Sequence, residues 1–261
     1  MPKVPVERRW LAGHLGLVYL FLYGPIVVLI VLSFNKSGLP TAWTGFSTEW
    51  YGRLAANPAI LAAARNTLIV AVGSTLIATS IGTLLALGLE TVRAGPVVEG
   101  LVFAPMVIPD IVLAIALLSF YTLLDVTLGL HSIVLSHAVF NIAFVCAVVR
   151  TRLKHFDKSI VEASIDLGAG EVTTFFRITL PVIFPGVLAG ALLAFTLSVD
   201  EFIIAYFTSG AGRASTTFPM QIYAMIRFGV TPEINAVATI VLGVSFTLIL
   251  LSQRLNRDIV R

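Results

Sequence analysis

Glu162-Ala163-Ser164-Ile165-Asp166-Leu167-Gly168, continued by Ile178-Thr179-Leu180-Pro181, sits in a polar island between two long apolar runs and decides what kind of membrane protein this is. From about 150 to 181 the chain carries five basic residues (Arg150, Arg152, Lys154, Lys158, Arg177) and four acids (Asp157, Glu162, Asp166, Glu171). Ser159 to Leu167 reads as a short helix carrying Ile160, Val161, Ala163, Ile165 and Leu167. Gly168 then supplies a residue that takes the left-handed conformation at a helix end without steric cost. A second helical turn follows, with Phe175, Phe176 and Ile178 as its apolar patch. Pro181 is expected to open the next span, since a first-turn proline loses no needed hydrogen bond. Two short helices with small residues at the bend make a knob that can sit in a groove on a soluble partner; the plainer alternative is an inner loop folded on itself.

Outward from this island the chain is apolar. Hydrophobic residues make up 57% of 261 and charged residues 12%, and the mean hydropathy is +0.96, far from the balance of a soluble domain. Six runs are long enough to cross roughly 30 Å of hydrocarbon, at about 15–33, 66–89, 101–124, 132–149, 182–207 and 234–252. They are continuous rather than alternating, so they read as helices and disfavour a β-barrel. With the N-terminus inside, the inner segments hold twelve basic residues (Lys3, Arg8, Arg9, Arg93, Arg150, Arg152, Lys154, Lys158, Arg177, Arg254, Arg257, Arg261). The outer segments hold five (Lys36, Arg53, Arg65, Arg213, Arg227), which places both termini in the cytoplasm by the positive-inside rule. Topology thus accounts for the net charge of +3, and no nucleic-acid role is implied. The first run follows Arg8 and Arg9 without a small-residue cleavage site, so it is expected to remain as a signal anchor.

Several chemistries have nothing to work with. No G-x-x-x-x-G-K-[ST] loop is present, so the chain has no phosphate cradle of that kind, and H-E-x-x-H is absent. His14, His131, His137 and His155 have no metal-ligand spacing, and Cys146, the single cysteine, falls inside the fourth run and reads as packing. The outer loop at about 34–65 holds Trp43, Phe46, Trp50 and Tyr51, residues suited to an interfacial lid or to an external partner. Arg93-Ala94-Gly95-Pro96 reads as an inner turn, Asp125 to His131 as an outer one, and 208–233 as a Gly-, Thr- and Pro-rich outer loop.

Ionisable groups inside apolar runs are costly and are therefore the candidates for a substrate path. Asp110 follows Pro105 and Pro109, which loosen the third run and free carbonyls. Asp200 and Glu201 fall on the fifth run, about 100° apart if helical. That run carries Gly186, Gly190, Ala194 and Ser198 at intervals of four, a stripe for close helix approach that Glu201 is expected to continue. Asp200 is therefore expected to contact a cation more directly than Glu201. Tyr121, Phe202 and Tyr206 are the nearest aromatics, suited to ammonium groups through their π faces. Each of these residues has a plainer reading as an ion-paired, capped or core side chain. Asp125 reads as interfacial and Glu233, after Pro232, as a helix-start acid.

The polar island resembles the EAA loop by which permease subunits of bacterial ABC importers grip their ATPase: Glu162, Ala163, Gly168, Ile178, Leu180 and Pro181 match the pattern, and Ser164 stands where it has Ala. LSVDEFIIAYFTSG (Leu197 to Gly210), FPMQIYAMIRFGVTPEINAVATI (Phe218 to Ile240) and MVIPDIVLAIALL (Met106 to Leu118) are similar to stretches of polyamine-type ABC permeases, particularly the second permease subunit of spermidine/putrescine importers. The likeness covers nearly the whole chain. It implies an all-α membrane protein of six transmembrane helices like a type I ABC importer permease, one permease domain over 1–261 with an ATPase-coupling loop at 150–181. It implies a place in the bacterial cytoplasmic (inner) membrane among lipid, a homologous second permease forming a heterodimer, two ATPase subunits, and an extracytoplasmic binding protein delivering a small cationic substrate. Alternating access would be driven by ATP and Mg²⁺ in the partner ATPase, with no cofactor or metal in this chain and no catalysis by it. Relatives in this branch are associated with other small amines, aminobutyrate or opines. An ion-gradient-driven secondary transporter is the rival class, disfavoured by the loop and by the lack of visible inverted repeats; a scaffold without transport would leave the intramembrane acids dispensable.

Overall fold

Apolar runs make helices here because lipid leaves backbone groups no other partner, and prolines decide where those helices break. A computed structural model describes residues 6–38, 42–92, 95–154, 156–227, 229 and 231–259. The expectations resting on Lys3, Arg93, Ala94, His155 and Arg261, and on the side chains of Arg8, Arg9, Arg254 and Arg257, lie outside what is described. Along the chain run α1 (Val6–Leu32), α2 (Glu49–Ala56), α3 (Pro58–Val92), α4 (Pro96–Val107), α5 (Asp110–Leu123) and α6 (Leu130–Leu153). After them come α7 (Ser159–Asp166), α8 (Glu171–Thr174), a π-helical turn (Phe175–Thr179), α9 (Leu180–Asp200), α10 (Ile203–Thr208), α11 (Phe218–Ile226) and α12 (Pro232–Ile259).

The six expected runs are only partly unbroken spans. Among the described residues four helices are long and apolar enough to cross a membrane, and α4 with α5 makes a fifth if a pair bent by 106° counts as one. The sixth run lies in α12, whose apolar part among the described residues is Pro232–Val244. The third run breaks rather than merely loosening: Pro109 lacks an N–H and pushes Ile108 to an extended conformation (φ −67°, ψ 130°). The fifth run ends at Asp200 and restarts at Ile203. Pro181 does not open that span, because α8, the π turn and α9 form one continuous helix over Glu171–Asp200. The Leu180 N–H reaches back five residues to the Phe175 carbonyl, and this wider turn absorbs the N–H that Pro181 cannot offer to Arg177.

The chain divides into two compact units. In one, α12 packs on α1 and α2. The expected outer lid is a built structure there: a bridge pairs Asn35 with Phe46, the Trp50 indole N–H donates to the Asn35 carbonyl at 2.8 Å, and Ser33 and Tyr51 share a 2.6 Å hydroxyl bond. Phe34 stacks on Phe46 with ring centroids 5.4 Å apart.

In the other unit (Ala59–Gln221), α6 is the central helix, packed on α4, α9 and α10. The small-residue stripe on α9 behaves as expected, with Gly186, Gly190, Ala194 and Ser198 all buried. A Cβ on Gly190 would stand 3.3 Å from Val145 of α6, and one on Gly82 of α3 only 2.9 Å from the Ile142 carbonyl oxygen. Cys146 is fully buried in the same core with Ala78, Val149, Ile183 and Ala194. Arg150, near the end of α6, ties in α3 and α4 through Glu90 (2.6 Å) and Glu99 (2.7 Å).

Candidate functional site

All three acids fall at the two helix breaks. Asp110 is the first residue of α5 and Asp200 the last of α9, and both are exposed. Glu201 follows in an extended conformation (φ −69°, ψ 121°) and is partly buried. α5, which begins at Asp110, packs on α10, the short helix that follows Glu201. Glu201 therefore does not continue the small-residue stripe or lie 100° around a helix from Asp200, since the chain has left the helix. Its carboxylate instead accepts the Ile204 N–H, filling one of the donors that a helix start leaves open. Asp110 likewise occupies a first turn, where the helix dipole favours a negative charge.

Phe202 and Tyr206 flank this cluster one turn apart, with ring centroids 5.5 Å from each other, and Tyr206 is 49% exposed. Tyr121 is not part of it. That side chain is buried, and its hydroxyl lies 3.0 Å from Ser136 Oγ and 3.2 Å from the Ser132 carbonyl. In the last turn of α9 begins a polar chain that the sequence reading passed over: Ser74 and Ser198 hydroxyls 3.0 Å apart, and Ser198 2.7 Å from His137 Nδ1. The signal was present as Ser132, Ser136 and His137 within six residues of an otherwise apolar run. An open groove of about 420 Å³ between α4 and α6, lined by Phe103, Met106, Val107, Ala147, Arg150, Thr151 and Lys154, contains none of the three acids.

The second candidate site is the polar island. Asp157 accepts the Ser159 N–H at 2.9 Å, and bonds from the Ser159 hydroxyl and backbone hold its carboxyl below the usual carboxylate range. α7 ends in a Schellman motif: Gly168 N–H bonds Ile165 O at 2.8 Å and Ala169 N–H bonds Ser164 O at 3.1 Å, with Gly168 at φ +84°. Ser164 Oγ meets Thr174 Oγ1 at 2.9 Å, locking α7 against α8. The departure from Ala at this position thus adds a bond across the bend. Glu162 and Ala163 are exposed, Ile178 and Leu180 half-buried, and Pro181 exposed. Ile160, Ile165 and Leu167, and Val172 and Phe176 at the start of the Glu171–Asp200 helix, are also exposed, so the knob presents a large apolar surface.

A broken-helix bundle with a capped polar knob fits a transporter permease, and the chain belongs to the family described as "Binding-protein-dependent transport system inner membrane component", which matches residues 92–260. It is 43% identical over 255 residues to the spermidine/putrescine transport system permease protein PotC of Escherichia coli (strain K12), covering 97% of this chain and 96% of that one. It is 39% identical over 253 residues to the putrescine transport system permease protein PotI of the same strain, covering 93% and 89%. A solved bacterial ABC transporter involved in the import of the acidic polysaccharide alginate superposes with a TM-score of 0.78 at 15% identity, covering 97% of this chain and 99% of that one. The MetNI methionine ABC transporter in an inward-facing form superposes with a TM-score of 0.60 at 19% identity, covering 83% and 100%. These two likenesses are of fold. The all-α importer-permease architecture read from the sequence is the one observed.

Proposed function

We propose that this chain is a permease subunit of an ATP-driven importer for spermidine, putrescine or a closely related small amine. The placement of Asp110, Asp200 and Glu201 at two helix breaks, with α5 packed on α10, carries this reading. A cationic amine must shed water to cross, and carboxylates at membrane depth replace part of that hydration. Irregular backbone at that depth is tolerated where it lines a cavity, which fits breaks at both acid-bearing segments. Phe202 and Tyr206 supply π faces for ammonium groups and apolar surface for methylenes. The names of the 43% and 39% identical relatives agree with this substrate class.

The chain works in this reading with a homologous second permease, two ATPase subunits that bind ATP and Mg²⁺, and an extracytoplasmic binding protein. The exposed apolar residues of α7 and α8 form the seat for an ATPase, with both termini on the same cytoplasmic side. Alternating access would follow from rocking of the two permeases about the path between them. The test is ATP-dependent uptake of labelled spermidine, putrescine and aminobutyrate by the assembled complex in vesicles. Uptake of the two polyamines over aminobutyrate is expected; the reverse preference would transfer the site to a zwitterionic substrate. Uptake driven by an ion gradient without ATP would overturn the class.

A further inference from the structure

We propose that Ser132, Ser136 and His137, in the N-terminal half of α6, are a polar clamp that positions the acid cluster. The proposal rests on the reading of those acids as the cation path. The break at Glu201 and Phe202 leaves α9 and α10 without helical continuity, so the angle between them depends on what holds their ends. Ser132 Oγ lies 2.7 Å from the carbonyl of Thr208, the last residue of α10. His137 Nδ1 lies 2.7 Å from Ser198 Oγ, in the last turn of α9 and two residues before Asp200. Ser136 Oγ, which also bonds the Ser132 carbonyl at 2.7 Å, takes the Tyr121 hydroxyl of α5 at 3.0 Å, and Asp110 begins that same α5. Three side chains within six residues of α6 therefore hold α5, which begins at Asp110, α9, which ends at Asp200, and α10, which follows Glu201.

The grip is dry. Ser132 and Ser136 are 0% exposed, His137 1%, Ser198 2% and Thr208 0%. Helix packing in lipid has little hydrophobic driving force, so buried hydrogen bonds add to small-residue packing in fixing register. Ser74 of α3 extends the clamp by bonding Ser198 at 3.0 Å, which ties the end of α9 on a second side.

The clamp is tested in the assembled complex in vesicles with His137→Leu, Ser198→Ala and His137→Asn, the last keeping a polar atom near the place of Nδ1. Nitroxide labels on Asp110→Cys and Asp200→Cys read the separation of the two acid positions directly, and the native Cys146 is fully buried and does not compete for label. We expect His137→Leu to widen the distance distribution about two-fold and to lower polyamine uptake about ten-fold at unchanged thermal stability. Ser198→Ala should act in the same direction and His137→Asn should restore both readouts. Label distances unchanged in both His137→Leu and Ser198→Ala would overturn the clamp whatever the uptake. Full uptake by Asp110→Asn and Asp200→Asn, with distances still widened by His137→Leu, would remove the cation reading while leaving the geometry of the clamp.

Discussion

Asp110 and Asp200 are exposed at helix ends, whereas Glu201 is half-buried and already spends its carboxylate on a backbone N–H, so the three acids respond differently to loss of charge. Asp200→Asn keeps shape and hydrogen bonding, and we expect polyamine uptake in vesicles to fall about ten-fold with assembly intact, with a smaller fall for Asp110→Asn. Glu201→Gln can still accept the Ile204 N–H, while Glu201→Ala gives up a cap worth about 1 kcal/mol; the thermal midpoint should drop for Ala and hold for Gln. Full uptake by both Asp→Asn variants would make these acids structural. At Gly168 a Cβ meets nothing within 4 Å, so only the left-handed backbone at φ +84° resists substitution. Gly168→Asn should preserve ATPase docking, Asn tolerating this conformation, whereas Gly168→Val should weaken co-purification with the ATPase by a cost of about 1–2 kcal/mol. Equal co-purification for both would detach the Schellman turn from docking. The left-handed turn at Gly168 was legible because a glycine after a short helix has few other reasons to be there, and the acids stood out as charges in apolar runs. The inward turn of Tyr121 and the pairing of His137 with Ser198 were not, because both depend on which residues of different helices come level.

At the scale of elements, helix existence followed directly from apolar length, and helix continuity did not. Pro109 breaks its run while Pro185 and Pro25 stay inside helices, so proline alone does not announce a break; the neighbouring turns decide whether a lost N–H is tolerated. The π turn before Pro181 was likewise invisible, since five-residue spacing leaves no mark on a sequence that is apolar on most sides. The closest approach of α3 to α6 is at Gly82. Gly82→Ala would put a Cβ 2.9 Å from the Ile142 carbonyl oxygen and from Val145 Cβ, one of them backbone that cannot rotate away. We expect it to destabilise the protein by about 1–3 kcal/mol, as overpacking of a tight core does. Gly88→Ala, on the same helix with nothing within 4 Å, should be neutral or stabilising by about 0.5–1 kcal/mol. Thermal unfolding in detergent compares the two, and equal midpoints would mean that α3 and α6 do not pack this closely in solution.

The topology of the whole molecule hinges on the α4–α5 pair. At 1.5 Å per residue the two helices are about 18 and 21 Å long, and with a 106° bend between them their end-to-end reach is about 24 Å. That falls short of roughly 30 Å of hydrocarbon, so geometry by itself would also permit a re-entrant loop that returns to its starting side. Charge decides against it. A re-entrant pair would invert every later segment and put Arg150, Arg152, Lys154, Lys158 and Arg177 outside, against the positive-inside rule. It would also carry the exposed apolar residues of α7 and α8 away from the side proposed for the ATPase. The pair is therefore expected to cross, its short reach accommodated where its break lines a polar path shared with a second permease. Cysteines placed at exposed Gly95 and exposed Asp125, which bracket the pair, should react with a membrane-impermeant maleimide from opposite faces, Gly95→Cys from the cytoplasm and Asp125→Cys from outside. Labelling of both from one face would make the pair re-entrant, move the knob of α7 and α8 away from ATP, and take the importer reading with it.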